Sequence, residues 1–336
     1  MHSSRFYAYV PPPAPSLPDR NMSPQAGLPL CPVTGQPAVR HVQWVSARML
    51  RDLWRIAFKT DAKEALRGVD LFGLWESPTG LYFFDPPREG TDAFYDQLYT
   101  KLIRLGLFSN QYMRREFAMA ALSIPAGARV LDVGCGLANF SLCVPQAHYT
   151  GLDPHMAGRS QSAAVCGQTL AEHLLAHAGS YDAVCAFQVL EHVKAPADLF
   201  GEMVQAARPG GLIFAAVPHV PSPATRIPNY LINAPPHHLT WWTKPALAEL
   251  AKGAGALVER IEIVPWSPSD ALIYWIARFT PIKCRAEHYR GHWAWHVSAL
   301  LGLVCGIFAN ALAGVPSRGG EGASLLLIAR RAPDAA

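Results

Sequence analysis

The eleven residues Val130–Phe140, VLDVGCGLANF, restrict the fold more than any other part of the chain. Val130 and Leu131 lead into Asp132, then come Gly134-Cys135-Gly136 and a run able to begin a helix. This reads as a buried strand, a tight turn and a helix N-terminus. Such a junction brings backbone N–H groups close to a ligand. It also sets a requirement on the residues downstream. In a nucleotide-binding α/β sheet the next strand ends in an acid, and further β/α units come after it.

The chain meets that requirement. Arg129–Val133 reads as a first strand and Leu137–Cys143 as the start of a helix. Tyr149–Asp153 is a second strand, ending in an acid 21 residues after Asp132. Ser160–Val165 is a short third candidate, and Leu170–His177 suits a helix. Tyr181–Phe187 is a fourth strand with a near-continuous apolar run, as expected where both sheet faces are covered. A helix over Pro196–Ala207 stops at Pro209-Gly210-Gly211. Strands follow at Gly211–Val217 and Ala256–Val264, with a helix over Lys244–Gly253 between them. Ala323–Arg330 reads as one more strand. Alternation of this kind predicts a doubly wound α/β sheet.

The flanking regions differ. Residues 1–30 are Pro-rich and carry no apolar run of the secretory type, so they read as a disordered tail without a signal sequence. Residues 31–114 read as an N-terminal extension or lid. Within it the spacing predicts a helix from about Ala38 to Arg67, with Arg48, Arg51, Arg55 and Lys59 on one face. That face is either solvated or a basic surface for an anionic membrane or phosphorylated substrate. LYFFDPP (81–87) is a short strand. Thr91 or Asp92 caps a helix to about Leu107, and a second helix runs over Gln111–Leu122. Tyr95 and Tyr112 serve a lid or the core. The core domain is then 115–264 plus 322–331, interrupted by an apolar helical insertion, 265–321.

Hydrophobic residues make up 50% of the 336 and charged residues 16%, with a net charge of +4. A large core follows, and no compact basic tract points to nucleic acid. Seven scattered cysteines without a C-x-x-C pair read as reduced core thiols of a cytoplasmic protein.

Asp153 is placed to accept hydrogen bonds from the two hydroxyls of a ribose. A dinucleotide needs G-x-G-x-x-G, and the third glycine position holds Asn139. The Asp-x-Gly-x-Gly form suits S-adenosylmethionine, which has no phosphate. Its amino-acid end would pack against the turn, with Asp132 organising the turn and the ligand's ammonium.

With these motifs the chain resembles the class I S-adenosylmethionine-dependent methyltransferases, near the group that shares motifs with ubiquinone-biosynthesis methyltransferases. VLDVGCGLANF resembles the first motif and YTGLDPH the second. FQVLEHVKAPADLFGEMVQAARPGG, with Leu190-Glu191-His192-Val193, resembles the fourth-strand signature. PPHHLTWWTKPALAEL (235–250) resembles a segment after the fifth strand. The resemblance implies a Rossmann-like seven-stranded sheet of order 3-2-1-4-5-7-6, the last strand antiparallel. It places Asp132, Gly134, Cys135 and Gly136 at the methionine end of the cofactor, Asp153 at the ribose, and Pro154 and His155 beside the adenine. Gln168-Thr169 is the candidate adenine loop, Gln188 sits by the methyl-transfer centre, and Ala138 stands at the usual third glycine.

Methyl transfer from a sulfonium needs an aligned acceptor, and an oxygen acceptor also needs a base. Candidates are His237 and His238, with His219 after the fifth strand, while His192 reads as holding its loop. No metal is expected. Cys31-Pro32-Val33-Thr34-Gly35 resembles a zinc knuckle with Thr34 at the second cysteine, and His288, His292 and His296 lack further ligands. Val297–Val315 is uncharged and would span about 28 Å as a helix. Ser298, Gly302, Gly306, Asn310 and Gly314 form a small-residue stripe along it. It is buried, or monotopic on a membrane with Lys283, Arg285, Arg290, Trp293 and Trp295, or re-entrant. The expected protein is a cytoplasmic methyltransferase, peripheral on the inner face of the membrane through 268–315. It acts on a small-molecule or lipid-linked acceptor, without nucleic acid. The alternative is a catalytically inactive scaffold with the same fold.

Overall fold

The structure is a computed structural model, and it describes residues 27–105, 114–155, 165–316 and 322–333. Two sheets organise it. The larger contains β4 (Arg129–Val133), β5 (His148–Leu152), β6 (Val165–Cys166), β7 (Tyr181–Phe187), β8 (Ala207–Pro218), β10 (Ala256–Val264) and β11 (Ser324–Arg331). Their order is β6-β5-β4-β7-β8-β11-β10. Counted from β4 this is 3-2-1-4-5-7-6, and β11 runs antiparallel to both β8 and β10. The expected doubly wound Rossmann-like sheet is therefore present.

Its central strands are apolar on both sides for a reason visible in β7. Val184 and Ala186 face the layer formed with α5 (Pro196–Ala206) and α6 (Lys244–Gly253). Ala183, Cys185 and Phe187 face Phe117 of α3 (Arg115–Ala121) and Phe140. One strand thus feeds two cores. The remaining crossover helix, α4 (Leu170–His177), begins with a capping box in which Thr169 and Glu172 satisfy each other's backbone N–H groups.

The second sheet corrects the reading of the N-terminal region as a helical extension. Its order is β1 (Arg40–Ser46), β2 (Leu71–Glu76), β3 (Tyr82–Asp85) and β9 (Thr240–Trp241). The expected helix from Ala38 to Arg67 is a strand followed by the shorter α1 (Ala47–Phe58). Ser46 decides the boundary. Its backbone is extended and its hydroxyl accepts from Met49 N, so the helix starts there. The preceding residues alternate in burial and carry Val42, Trp44 and Val45, which favour a pleated strand. α1 ends at Lys59, in the left-handed conformation. Thr91 caps α2 (Asp92–Arg104) as expected. Tyr112 and most of Ser160–Val165 lie outside the described residues.

β9 belongs to the loop after β8, yet pairs with β3 through Tyr82–Trp241 and Phe83–Thr240. The N-terminal layer is therefore stitched onto the carboxyl edge of the large sheet. The Cys31–Gly35 turn closes through backbone bonds, and Cys31 is buried in the core.

Between β10 and β11 run α7 (Ala271–Phe279) and α8 (Trp293–Ala313). They pack together along the small-residue stripe. A side chain at Gly306 would stand 2.7 Å from the Ile276 backbone nitrogen, and one at Gly302 would collide with Thr280. Only Ser298, Gly302 and Gly306 of α8 are buried. The opposite face, with Trp293, Leu301, Ile307 and Phe308, is exposed.

Candidate active site

At the carboxyl end of β4 the chain leaves the sheet through Gly134, whose φ is +67° and whose N–H donates to the Leu152 carbonyl at 2.7 Å. A Cβ at 134 would stand 2.7 Å from the Val189 Cγ2 atom, so the turn presses against the loop after β7. Only glycine meets both demands. Gly136 also has a left-handed φ, and its N–H donates to Asp153 Oδ2 at 3.0 Å. The expected helix over Leu137–Cys143 is a 3-10 turn, Asn139–Cys143. Ala138 precedes it with φ +57° while fully buried. An L-residue resists that conformation, and the reversal it imposes stops a regular α-helix from starting.

Two carboxylates flank this turn. Asp132 is buried and accepts from the Tyr149 hydroxyl at 2.6 Å. Burial pushes its carboxyl up to about 7 against the pull of that hydrogen bond, and Asp153 adds to the rise. Asp153 accepts from Gly136 N through Oδ2 and from His155 N through Oδ1. A carboxylate oxygen takes more than one such bond, so the arrangement suits further donors such as paired hydroxyls. Pro154 and His155 are exposed beside it, and His155 Nδ1 lies 3.0 Å from Asp92 Oδ1 of α2. Cys135 lines the turn, with burial raising its thiol pKa well above the usual value. Gln168 contacts His173 and Thr169 caps α4, so both are engaged locally just beyond β6, at the same sheet edge.

Gln188 follows β7 with φ +60°. Its N–H donates to Ala216 O at 2.7 Å. Its amide reaches Ser324 Oγ at 3.2 Å, which ties this turn to β11. The next residues, Glu191 and His192, meet the loop that carries His237 and His238. Leu239 N–H donates to Glu191 O at 2.7 Å, and Phe84 N–H to Leu239 O at 2.9 Å. That ladder joins the large sheet, the 235–242 loop and the N-terminal layer. Trp54 of α1 adds a donor to Pro235 O at 3.0 Å.

The result is a buried cluster of imidazoles. The ring centroids of His192 and His237 are 4.5 Å apart, those of His192 and His238 4.8 Å, and His237 stacks on His238 at 4.5 Å. Tyr95 of α2 bridges the two halves of the site. Its ring lies 6.1 Å from those of His192 and His237 and 6.3 Å from that of His155. Burial lowers His192 to about 4, and burial with neighbouring imidazoles holds His237 and His238 well below the usual histidine range. Glu191 lies under them, fully buried, its carboxyl pushed up to about 8 by desolvation. His219 is placed elsewhere. It leaves β8 with its N–H on Ala323 O at 2.6 Å and its backbone bridged to Trp242.

Sequence reasoning named His237, His238 and His219, weighed His192 as a base but favoured a loop-holding role for it, and gave Glu191 no chemical part. The signal was the position of Glu191 and His192 directly after β7, at the carboxyl edge where ligands of such sheets bind. Tyr95 was singled out only as a lid or core aromatic, with nothing in the sequence to place its ring against the histidines.

A family model described as a methyltransferase domain matches residues 107–260. A ubiquinone biosynthesis O-methyltransferase from Aromatoleum aromaticum is 35% identical over 101 residues, 26% of this chain and 43% of its own length. A protein of the same description from Xanthomonas axonopodis pv. citri is 30% identical over 176 residues, which cover 46% of this chain and 73% of that one. The chain thus spans less than half of the first of these relatives and almost three quarters of the second. Among solved structures, an S-adenosylmethionine dependent methyltransferase from Mesorhizobium loti is similar at 18% identity and a TM-score of 0.41, covering 64% of this chain and 95% of that one.

Proposed function

The chain belongs to the class I S-adenosylmethionine-dependent methyltransferases, and on that footing we propose that it methylates an oxygen of a small-molecule or lipid-linked acceptor. The observation that carries this reading is the shared wall between the glycine turn and the imidazole cluster. Gly134 packs on Val189, two residues before Glu191, so a ligand in the turn and one at the cluster are neighbours.

S-Adenosylmethionine supplies a methyl group on a positively charged sulfur. The residues suit it. Asp132, Gly134, Cys135 and Gly136 would hold the methionine end, Asp153 the ribose, and Pro154, His155, Gln168 and Thr169 the adenine side. Gln188, fixed to Ser324 and Ala216, would border the reacting centre. On the acceptor side, burial holds the imidazoles below the usual histidine range, which disfavours a general-base role. His237 and His238 therefore act best by accepting a hydrogen bond from the acceptor hydroxyl and orienting it. His219 borders the strand exit behind them.

Asp132 makes the cofactor site pH-dependent. Burial favours its neutral form, so the stability it lends the empty chain is present at low pH and is given up as pH rises through about 7. A bound ammonium reverses that preference and drives a proton off below that point. S-Adenosylhomocysteine affinity is expected to rise roughly tenfold per pH unit up to about 7 and level off above it. Calorimetric titrations on either side of pH 7 check this. A flat profile, or an unchanged slope in Asp132→Asn, would reject the role.

The exposed face of α8 supports a membrane setting. Among the described residues one helix is long and apolar enough to cross a bilayer, Trp293–Ala313. Both of its ends are held to the body. Asn229 contacts His296 at 3.3 Å, and Trp275 donates to Gly314 O at 2.8 Å. β11 then returns to the sheet. These ties favour a helix lying in the membrane surface over one that crosses it. A cytoplasmic protein held peripherally at the inner face would fit this.

The deciding experiment is incubation with methyl-tritiated S-adenosylmethionine and cell extract, separated into lipid, small-molecule and protein fractions. Label in the lipid or small-molecule fraction is expected. Label confined to protein would reject the acceptor class. No label, together with no cofactor affinity, would turn the reading to a silent scaffold that keeps the fold.

A further inference from the structure

The imidazole cluster carries a feature that methyl transfer does not require. His192, His237 and His238 each offer a ring nitrogen, and these atoms lie within 4.8 Å of one another. Two of the rings are already oriented by backbone. His192 Nδ1 is 2.6 Å from His237 O, and His237 Nδ1 is 2.9 Å from Ile232 O. A carbonyl only accepts, so each Nδ1 carries the hydrogen and each Nε2 presents a lone pair. An N–H···O=C bond of this kind is how metal-ligating histidines are commonly held.

A fourth donor stands beside them. Glu191 Oε1 is 3.8 Å from His192 Nε2 and 4.0 Å from His238 Nε2. Glu191 is fully buried, and neither of its oxygens has a hydrogen-bond partner, nor does His238 Nδ1. A buried carboxylate without a donor is costly and calls for a missing partner. The backbone here is well fixed, because Leu239 N–H is bonded to Glu191 O. Donors around a four-coordinate zinc, at about 2 Å from the ion, stand roughly 3.3 Å from one another. Small side-chain rotations close the difference.

We propose that Glu191, His192, His237 and His238 form a binding site for one divalent transition-metal ion of the zinc class. Three imidazoles with one carboxylate favour zinc, iron or nickel over magnesium or calcium, which take oxygen ligands. The ion would take the unpartnered oxygens of Glu191 in place of a proton and clamp the loop after β7 to the loop that carries β9. The site rests on this geometry, and an ion bound there takes the ring lone pairs assigned above to the acceptor hydroxyl, so the two roles of His237 and His238 are alternatives.

The test uses the full chain, stripped with a chelator, dialysed and titrated with zinc chloride in a calorimeter. Metal content after gel filtration is read by mass spectrometry, and Co2+ serves as a spectroscopic probe. One equivalent of zinc is expected, with the intense visible absorption of four-coordinate Co2+. Glu191→Gln and His238→Gln should each weaken binding roughly tenfold or more, and His292→Gln should leave it unchanged. Wild-type protein without saturable zinc binding overturns the proposal, and that outcome needs no variant to fold. Binding that persists unchanged in both Glu191→Gln and His238→Gln overturns it equally.

Discussion

Asp153→Ala is expected to lower the affinity for S-adenosylhomocysteine by at least a hundredfold. The carboxylate is positioned by the two backbone N–H groups it already accepts, from Gly136 and His155. Two ribose hydroxyls donating to a fixed anion contribute about 1.5–3 kcal/mol each. Their loss together is therefore on the order of two decades or more in the dissociation constant. The substitution also frees Gly136 N–H, which loosens the turn. Thermal unfolding without ligand measures that second effect separately. Calorimetry that gives the same dissociation constant for wild type and Asp153→Ala would remove the ribose assignment.

The second large effect concerns the apolar face of α8. Leu301 is 48% exposed and Phe308 67%. Neither belongs to the Ser298–Gly302–Gly306 stripe that seats the helix on α7, so changing them leaves that packing intact. Burying a leucine or phenylalanine side chain in an apolar medium stabilises by about 1.5–3 kcal/mol. Replacing both by aspartate removes on the order of 4 kcal/mol of partitioning, or roughly a thousandfold. Wild type should co-sediment with liposomes and Leu301→Asp/Phe308→Asp should stay in the supernatant. Equal pelleting, with matching circular dichroism, would exclude this face as the contact.

The large sheet was legible in the sequence because its central strands are apolar runs bounded by turn residues. In Tyr181–Phe187 that pattern reflects two buried faces at once. The N-terminal layer was not legible, and the reasons are physical. Basic residues at helical spacing from Arg48 to Lys59 suggested a helix that began too early, whereas Ser46 sets the start through one hydrogen bond. Leu71–Glu76 holds a central glycine, Gly73, which weakens a strand signal. Its place in the sheet comes from pairing with β1 and β3.

The cofactor side of the candidate site was read from local motifs, since Asp132, Gly134, Gly136 and Asp153 act through a turn of short range. The imidazole cluster depends on contacts between distant parts of the chain. His192 and His237 are 45 positions apart, and the strand pairing of Trp241 with Tyr82 helps bring their loops together. Close spacing of metal-ligating residue types brought only Cys31–Gly35 and His288, His292 and His296 into consideration, both set aside for want of ligands, and gave no sign of the three rings that meet in space.

β11 lies between β8 and β10, and Gly322 N–H is bonded to the Val264 carbonyl at 3.0 Å, so the start and finish of the α7–α8 excursion touch. During synthesis β8 and β10 are made first, with an empty lane between them, and α8 leaves the ribosome before the strand that fills the lane. The nascent chain thus exposes its most apolar helix while its sheet is still open along one seam. Closing the sheet is therefore the last step of a vectorial process, and it waits for the return of the α7–α8 excursion.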